Sequence, residues 1–316
     1  MLTMIGRRLL AAIPLLLFVS LFVFALLDLV PGDAARNVAG ETATEEEVAA
    51  TRERLGLNDP FFVRYFSWLV NALHGDLGTS LYSSEGVSSI IAQRLPITAS
   101  LAVVALIMAI VVGLPVGILA AVRANSLVDR AVTALAALLM SVPPFVVGLI
   151  LVIVFAINMD LFPATGYSEI SDAGLGGWLQ HLILPGIAIA AISAAEFARQ
   201  TRGALVDTLG MDHIRTVRAK GLRRPMIIGK HALKNAGIPI ATVVGLQVSR
   251  VLAGAVTVEF VFAIPGFGSL AVQSVNQRDV PVILGIVMVS AVVVIVANIM
   301  VDLSYGYFNP RTRTNA

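Results

Sequence analysis

Six stretches of this 316-residue chain are each apolar over about 20 residues, enough to cross the ~30 Å hydrocarbon core of a bilayer as helices. They are Leu9–Val30, Ile97–Val122, Ala131–Ile157, Leu182–Ala198, Ala236–Val258 and Pro281–Leu303. No other feature constrains the fold as much. A backbone in hydrocarbon must satisfy its own N–H and C=O groups, and apolar segments of this length do so as helices. With 57% hydrophobic and 13% charged residues, the chain is too apolar for an ordinary soluble domain. The expected fold class is an all-α membrane protein with six transmembrane helices. There is no cysteine, which removes disulfides, thiol chemistry and thiolate metal ligands.

Between the fourth and fifth stretches lies a polar, basic segment, Arg199 to Lys234. It carries Arg199, Arg202, Arg215, Arg218, Lys220, Arg223, Arg224, Lys230 and Lys234 against only Asp207 and Asp212. Its punctuation predicts two short helices. Gly210 can end the preceding helix, and Asp212 is a fair N-cap for the next. Met211, Ile214, Val217 and Leu222 recur at roughly helical spacing. Gly221 supplies a turn where positive φ is cheap, and Arg224-Pro225 restarts a helix with proline at its first position. Such a helix-turn-helix either docks a partner or merely orients the protein and touches anionic lipid.

Orientation follows from charge, because Lys and Arg near span ends resist translocation. With both termini in the cytoplasm, fifteen basic residues fall inside: Arg7, Arg8, Arg123, Arg130, the nine of the central segment, Arg311 and Arg313. Six fall outside, five of them (Arg36, Arg52, Arg54, Arg64 and Arg94) on one long loop, the sixth being Arg278. Arg250 alone remains inside a span. The first apolar run is longer than a signal-peptide core and contains Pro14, so it is read as a retained span. Asp28 near its outer end is expected to reach the interface.

The loop from 31 to 96 is expected to be helical. Thr44-Glu45-Glu46-Glu47 forms a capping box for a helix closed by Gly56, and Asp59-Pro60 opens another. On the latter, Phe62, Phe66, Leu69 and Leu73 make an apolar face suited to the membrane interface or the outer wall of the bundle. In the second span Gly113 and Gly117, four apart, predict close helix approach. In the third, Ser141-Val142-Pro143-Pro144 predicts a kink, a pathway or hinge position as readily as a structural one. Glu196 stands three residues before Arg199, which predicts an i,i+3 pair.

The fifth span is the most polar. Gln247, Arg250 and Gly254 fall on one helical face, and a charge at mid-membrane faces a cavity or a partner. Arg250 therefore either lines or closes a path, or pairs with an acid on another helix for structure alone. Glu259 is half a turn out of phase and cannot pair with it within the helix. Pro265-Gly266-Phe267-Gly268, opening an amphipathic segment, predicts a re-entrant or outer gate loop over residues 259–280.

Several of these segments together resemble one family. IRTVRAKGL (Ile214–Leu222) and KHALKNAGIP (Lys230–Pro239) resemble the cytoplasmic coupling loop of ABC-importer permeases, specifically the oligopeptide/dipeptide permeases. The general motif has Glu-Ala-Ala before its glycine and Leu-Pro after it; here Arg215-Thr216-Val217 and Leu233-Lys234 stand instead. VPGDAA, LGLNDPFFVRYFSWL, HGDLGTS, AQRLPITASL, EFVFAIPGFGSLAVQSVNQRDV and DLSYGYFNPRTR resemble the same family in the same order. The resemblance implies the type I ABC importer permease fold, with a periplasmic helical insertion after helix 1 and a coupling helix between helices 4 and 5. It implies a first helix over 1–30, an extracytoplasmic loop over 31–96 and a core permease domain over 97–316. It implies a heterodimer with a second permease, two cytoplasmic ATPase domains, an external peptide-binding protein and a peptide substrate. Asp212, Arg215, Arg218, Lys220, Gly221 and Leu222 would meet the ATPase, while Arg250, Gln247, Pro143, Pro144, Glu259 and Phe267 would line the path or gate.

No phosphate-binding GxxxxGK[ST] loop, HExxH or GxSxG occurs. The chain is therefore expected to be no enzyme and to bind no cofactor or metal of its own, with ATP and Mg held by the partner ATPase. Nucleic acid is not an expected partner; the lipid bilayer of the bacterial plasma membrane is. The alternative function is an ion- or proton-coupled secondary transporter, but no internal repeat is evident and the acids lie at span ends. A non-transport membrane scaffold is the third.

Overall fold

Helices make up nearly all of the computed structural model, which describes residues 2–29, 34–40, 42–54 and 56–308. In order they are α1 (Leu2–Leu29), α2 (Ala34–Ala39), α3 (Glu45–Arg54), α4 (Phe61–Leu73), α5 (Val87–Val122), α6 (Leu127–Ser141) and α7 (Pro144–Leu151). Then come α8 (Ile170–Gly210), α9 (Asp212–Ala219), α10 (Arg224–Met226), α11 (Leu233–Val261), α12 (Phe267–Gln277) and α13 (Val280–Phe308). Two π-helical stretches, Val152–Asn158 and Ile227–Ala232, prolong α7 and join α10 to α11. Among the described residues the only β pairing is the isolated bridge between Thr79 and Gly86. Most of the VPGDAA segment and residues 309–313 of the last motif lie outside the described residues.

Five helices among the described residues are long and apolar enough to cross a bilayer, and a sixth span exists if the bent pair α6–α7 counts as one. That pair turns by 99° at residues 141–144, where the sequence predicted a kink. Two consecutive prolines explain the full break. Each forces the residue before it out of the helical region, and both Val142 (ψ 125°) and Pro143 (ψ 146°) are extended. The fourth span is also longer than its apolar core, running from Ile170 to Gly210 with an interruption at Gly174 (φ +66°).

The chain divides into two compact units: residues 97–269 with both end segments, and residues 6–96 with 270–295. In the first, Leu101 and Ala105 of α5, Leu182 and Ala188 of α8 and Val251 and Ala255 of α11 share one buried cluster. The predicted close approach is real. A methyl group added at Gly113 would lie 2.7 Å from Phe197 Cβ, and one at Gly117 would lie 2.6 Å from the Ala198 carbonyl, both on α8. Asp129, buried at the start of α6, takes a bidentate ion pair from Arg202 of α8 (Arg202 Nη2 at 2.7 Å) and also accepts the Asn125 amide at 2.8 Å.

In the second unit, Tyr65 and Trp68 of α4 pack with Phe24 of α1 and Leu284 of α13. The Tyr65 hydroxyl shares a hydrogen bond with Ser20 at 2.9 Å. Arg64 reaches Asp28 at 2.5 Å and lies over the Phe24 ring, so Asp28 is tied to the insertion. The capping box forms as predicted, with Thr44 N donating to Glu47 Oε2 at 2.8 Å and Glu47 N to Thr44 Oγ1 at 3.3 Å. The next helix starts one residue later than expected: Pro60 is the N-cap and Asp59 makes no cap bond. Phe62, Phe66 and Leu73 are exposed, as an outward apolar face requires, but Leu69, read onto the same face, packs inward against the cluster of Phe24, Tyr65 and Leu284. Ser80 Oγ donates to Asp279 Oδ2 at 2.5 Å, bracing the turn before α5 against the α12–α13 junction.

Candidate functional site

The basic segment folds as two helices around a tight reversal. α8 ends at Gly210, Met211 is extended (ψ 152°), and α9 begins at Asp212. Met211 is thus the N-cap and Asp212 the first helical residue, without a side-chain cap bond. Its carboxylate lies 3.3 Å from Arg215 Nη1, and an acid in the first turn still complements the helix dipole. One side of α9 is anchored: Ile214 is fully buried with Leu205, Ile227, Ala232 and Ala236, and Val217 and Leu222 pack beside it. The other side is free, leaving Asp212, Arg215, Arg218 and Lys220 exposed. Gly221 ends the helix at φ +75° and donates its N–H to the Arg218 carbonyl at 2.9 Å. The chain re-enters a helix at Arg224, with Pro225 in second rather than first position. Of the six residues singled out here, five are exposed and Leu222 is half-buried against the cluster under α9.

The second cluster joins segments far apart in sequence. Glu259, fully buried at the end of α11, accepts the Thr98 hydroxyl on Oε1 and the Ser269 amide on Oε2 at 2.8 Å. Thr98 in turn accepts the Phe267 amide at 2.7 Å. Together the two side chains cap the start of α12, whose first N–H groups have no helical partner. The glycines of Pro265-Gly266-Phe267-Gly268 are needed for this approach: a methyl at Gly266 would overlap the Glu259 carboxylate, and one at Gly268 would lie 2.7 Å from Val256 Cα. Ala263 holds φ +48° just before the loop, and the Phe262 carbonyl accepts the Gly166 amide at 2.7 Å.

The polar face read onto α11 separates in space. Gln247 is buried and accepts the Ser193 hydroxyl of α8 at 3.2 Å, whereas Arg250 is exposed. Gly254 turns toward Pro144 and Ile189. The 60° between positions three apart on a helix puts Gln247 on the packed flank and Arg250 outside it. Pro144 meets α11 and Pro143 is exposed on the break. Glu196 pairs with Arg199 at 3.0 Å as predicted and also accepts Gln200. The roles of Thr98, Ser193 and Asp129 were not visible in sequence, because a lone hydroxyl or carboxylate carries no local sign of a partner many residues away.

Residues 113–314 match the family described as binding-protein-dependent transport system inner membrane component, and residues 1–102 match its N-terminal counterpart. A protein of Sinorhizobium fredii named a probable peptide ABC transporter permease is 41% identical over 307 residues, covering 97% of this chain and 98% of its own length. A putative peptide transport system permease of Brucella abortus is 39% identical over 313 residues, covering 99% of each chain. The glutathione transport system permease protein GsiC of Salmonella choleraesuis is also 39% identical, again over 99% of each. Among solved structures, a chain of the inward-facing MetNI methionine ABC transporter superposes with TM-score 0.57 at 17% identity, covering 70% of this chain and 96% of that one. That likeness carries the fold: the architecture is the type I ABC importer permease fold expected from sequence. By the matched lengths and the end-to-end identity, the chain belongs to the family of binding-protein-dependent transport system inner membrane components.

Proposed function

We propose that this chain is a membrane-spanning permease subunit of an ATP-driven importer that carries peptides delivered by an external binding protein. The observation that carries the reading is α9, a basic helix pinned on one side by Ile214 and open on the other. It is shaped to be pushed as a rigid piece. In this reading the segment 199–234 and both termini face the cytoplasm, and α9 seats on one of two ATPase domains. Arg215, Arg218 and Lys220 meet acidic or polar ATPase surface, and Gly221 allows the reversal. A second permease chain completes the path, and ATP-driven closure of the ATPases rocks the helices between outward- and inward-open states. Relatives named for peptides and for glutathione, itself a small peptide, support the cargo class. Oligopeptides and dipeptides are both within it. The buried Glu259–Thr98 cluster holds the loop at Phe267 as a gate on the opposite side.

The test is affinity purification of the tagged chain from native membranes, followed by uptake in proteoliposomes with the co-purified partners. A P-loop ATPase in the complex, ATP-dependent peptide uptake, and loss of coupling in Gly221→Val are expected. A chain that purifies alone and transports only with a proton gradient would overturn the reading.

A further inference from the structure

Arg250 lies close to the middle of α11, 16 residues and therefore about 24 Å along the helix from Lys234 in the basic segment. It is exposed, and among the described residues no side chain or carbonyl makes a hydrogen bond or ion pair with it. The acid whose field reaches it, Glu196, is already occupied by Arg199 and Gln200. Its guanidinium donors are therefore unspent by this chain. A charged group at that depth does not face lipid, because the cost is too high without water or a counter-charge. Leu246, Ala253, Thr257 and Phe260 share its exposed face, with the leucine one turn before the arginine and the small Ala253 and Thr257 after it. A wet space bordered by one cation suits an anionic group recognised by the planar guanidinium fork.

We propose that Arg250 reads the C-terminal carboxylate of the peptide in transit, a specificity-determining contact that rests on the import function proposed above. Every peptide bears that group whatever its sequence, so a single arginine serves a pathway whose side-chain preference is set elsewhere. The exposed face of α11, and not the flank bearing Gln247, borders the path.

The absence of cysteine makes the test direct. Arg250→Cys is assembled with cysteine-free partner subunits and the binding protein in proteoliposomes, and uptake of a pool of tripeptides with free termini is read by mass spectrometry. Uptake should fall about fivefold, the scale of one charge pair ~4 Å apart in a water-filled path, while ATP hydrolysis stimulated by the binding protein persists. Attaching an aminoethyl group through a thiosulfonate reagent should restore uptake several-fold. A neutral methyl group should not restore it, and a sulfonatoethyl group should lower it further. Equal effects of the three reagents, or an introduced thiol closed to all of them, overturn the proposal. If Arg250→Cys does not assemble, Thr257→Cys on the same face carries the comparison: an anionic tag there should lower uptake and a cationic one should not, and equal effects overturn the proposal. A wild-type complex without ATP-dependent uptake of the pool would instead bring down the import reading itself.

Discussion

The Thr98 hydroxyl donates to the Glu259 carboxylate across 161 positions of sequence and at the same time accepts the Phe267 amide at 2.7 Å. Through that pair the start of one span, the end of another and the first turn of α12 are held at a single buried point. Glu259→Ala should orphan the Ser269 amide and the Thr98 hydroxyl, at about 1–3 kcal/mol for each buried group left unmet. Glu259→Gln keeps one acceptor and should be milder. Thermal unfolding of the purified complex should rank them wild type, Gln, Ala. Equal melting temperatures for wild type and Glu259→Ala would remove the anchor from the account.

Gly268→Ala should be as disruptive although it removes no hydrogen-bonding group. The added methyl meets Val256 Cα at 2.7 Å, and backbone cannot yield as a flexible side chain can. Overpacking of this kind costs about 1–3 kcal/mol. A lowered melting temperature and increased proteolysis at residues 263–270 are expected.

At Gly221 the constraint is conformational, since nothing lies within 4 Å of an added Cβ while φ is +75°. Gly221→Val should therefore abolish coupling through strain, and Gly221→Asn, which tolerates left-handed backbone, should retain most ATP-dependent uptake. If Asn and Val fail alike, the side-chain surface and not the turn is what matters there.

Asp129 and Arg202 act as one unit at the inner ends of α6 and α8 under the proposed orientation. Asp129→Asn should lower the melting temperature by stranding the arginine, and Arg202→Gln should strand the carboxylate. The double variant should lose less than the sum of the two, as directly contacting pairs do. Strict additivity in the double-mutant cycle would show the contact to be idle.

Acid should act locally on α3. Hydrogen bonds from the Thr44 amide and hydroxyl hold the Glu47 carboxyl below the ordinary glutamate range. A depressed carboxyl stabilises the fold fully above its unfolded value, and that contribution is lost as pH falls through the folded one. Protection of the amides in the first turn of α3, measured against their intrinsic exchange rates, should thus be flat near neutrality and fall only in acid. Thr44→Ala should lower that protection at neutral pH as well.

Much of this protein was legible from local pattern. Apolar length announced the spans, Thr44 and Glu47 announced a cap, and Gly221 announced a positive-φ turn, because each depends on residues within a few positions of one another. Asp212 and Asp59 show the margin of such reading: the helices are where expected, but Met211 and Pro60 occupy the cap positions. The double proline predicted a bend, and only the folded chain made it a 99° break.

Hydrophobic length and charge sufficed to specify a helical membrane protein with a basic, punctuated segment, since both act through solvent and need no partner. Packing between helices was required to turn Gln247 inward to Ser193 while Arg250 stays exposed, and to bring Glu259 to Thr98. Those outcomes depend on which helix lies against which flank. A difference of 60° around one helix axis changes a packed side chain into an open one.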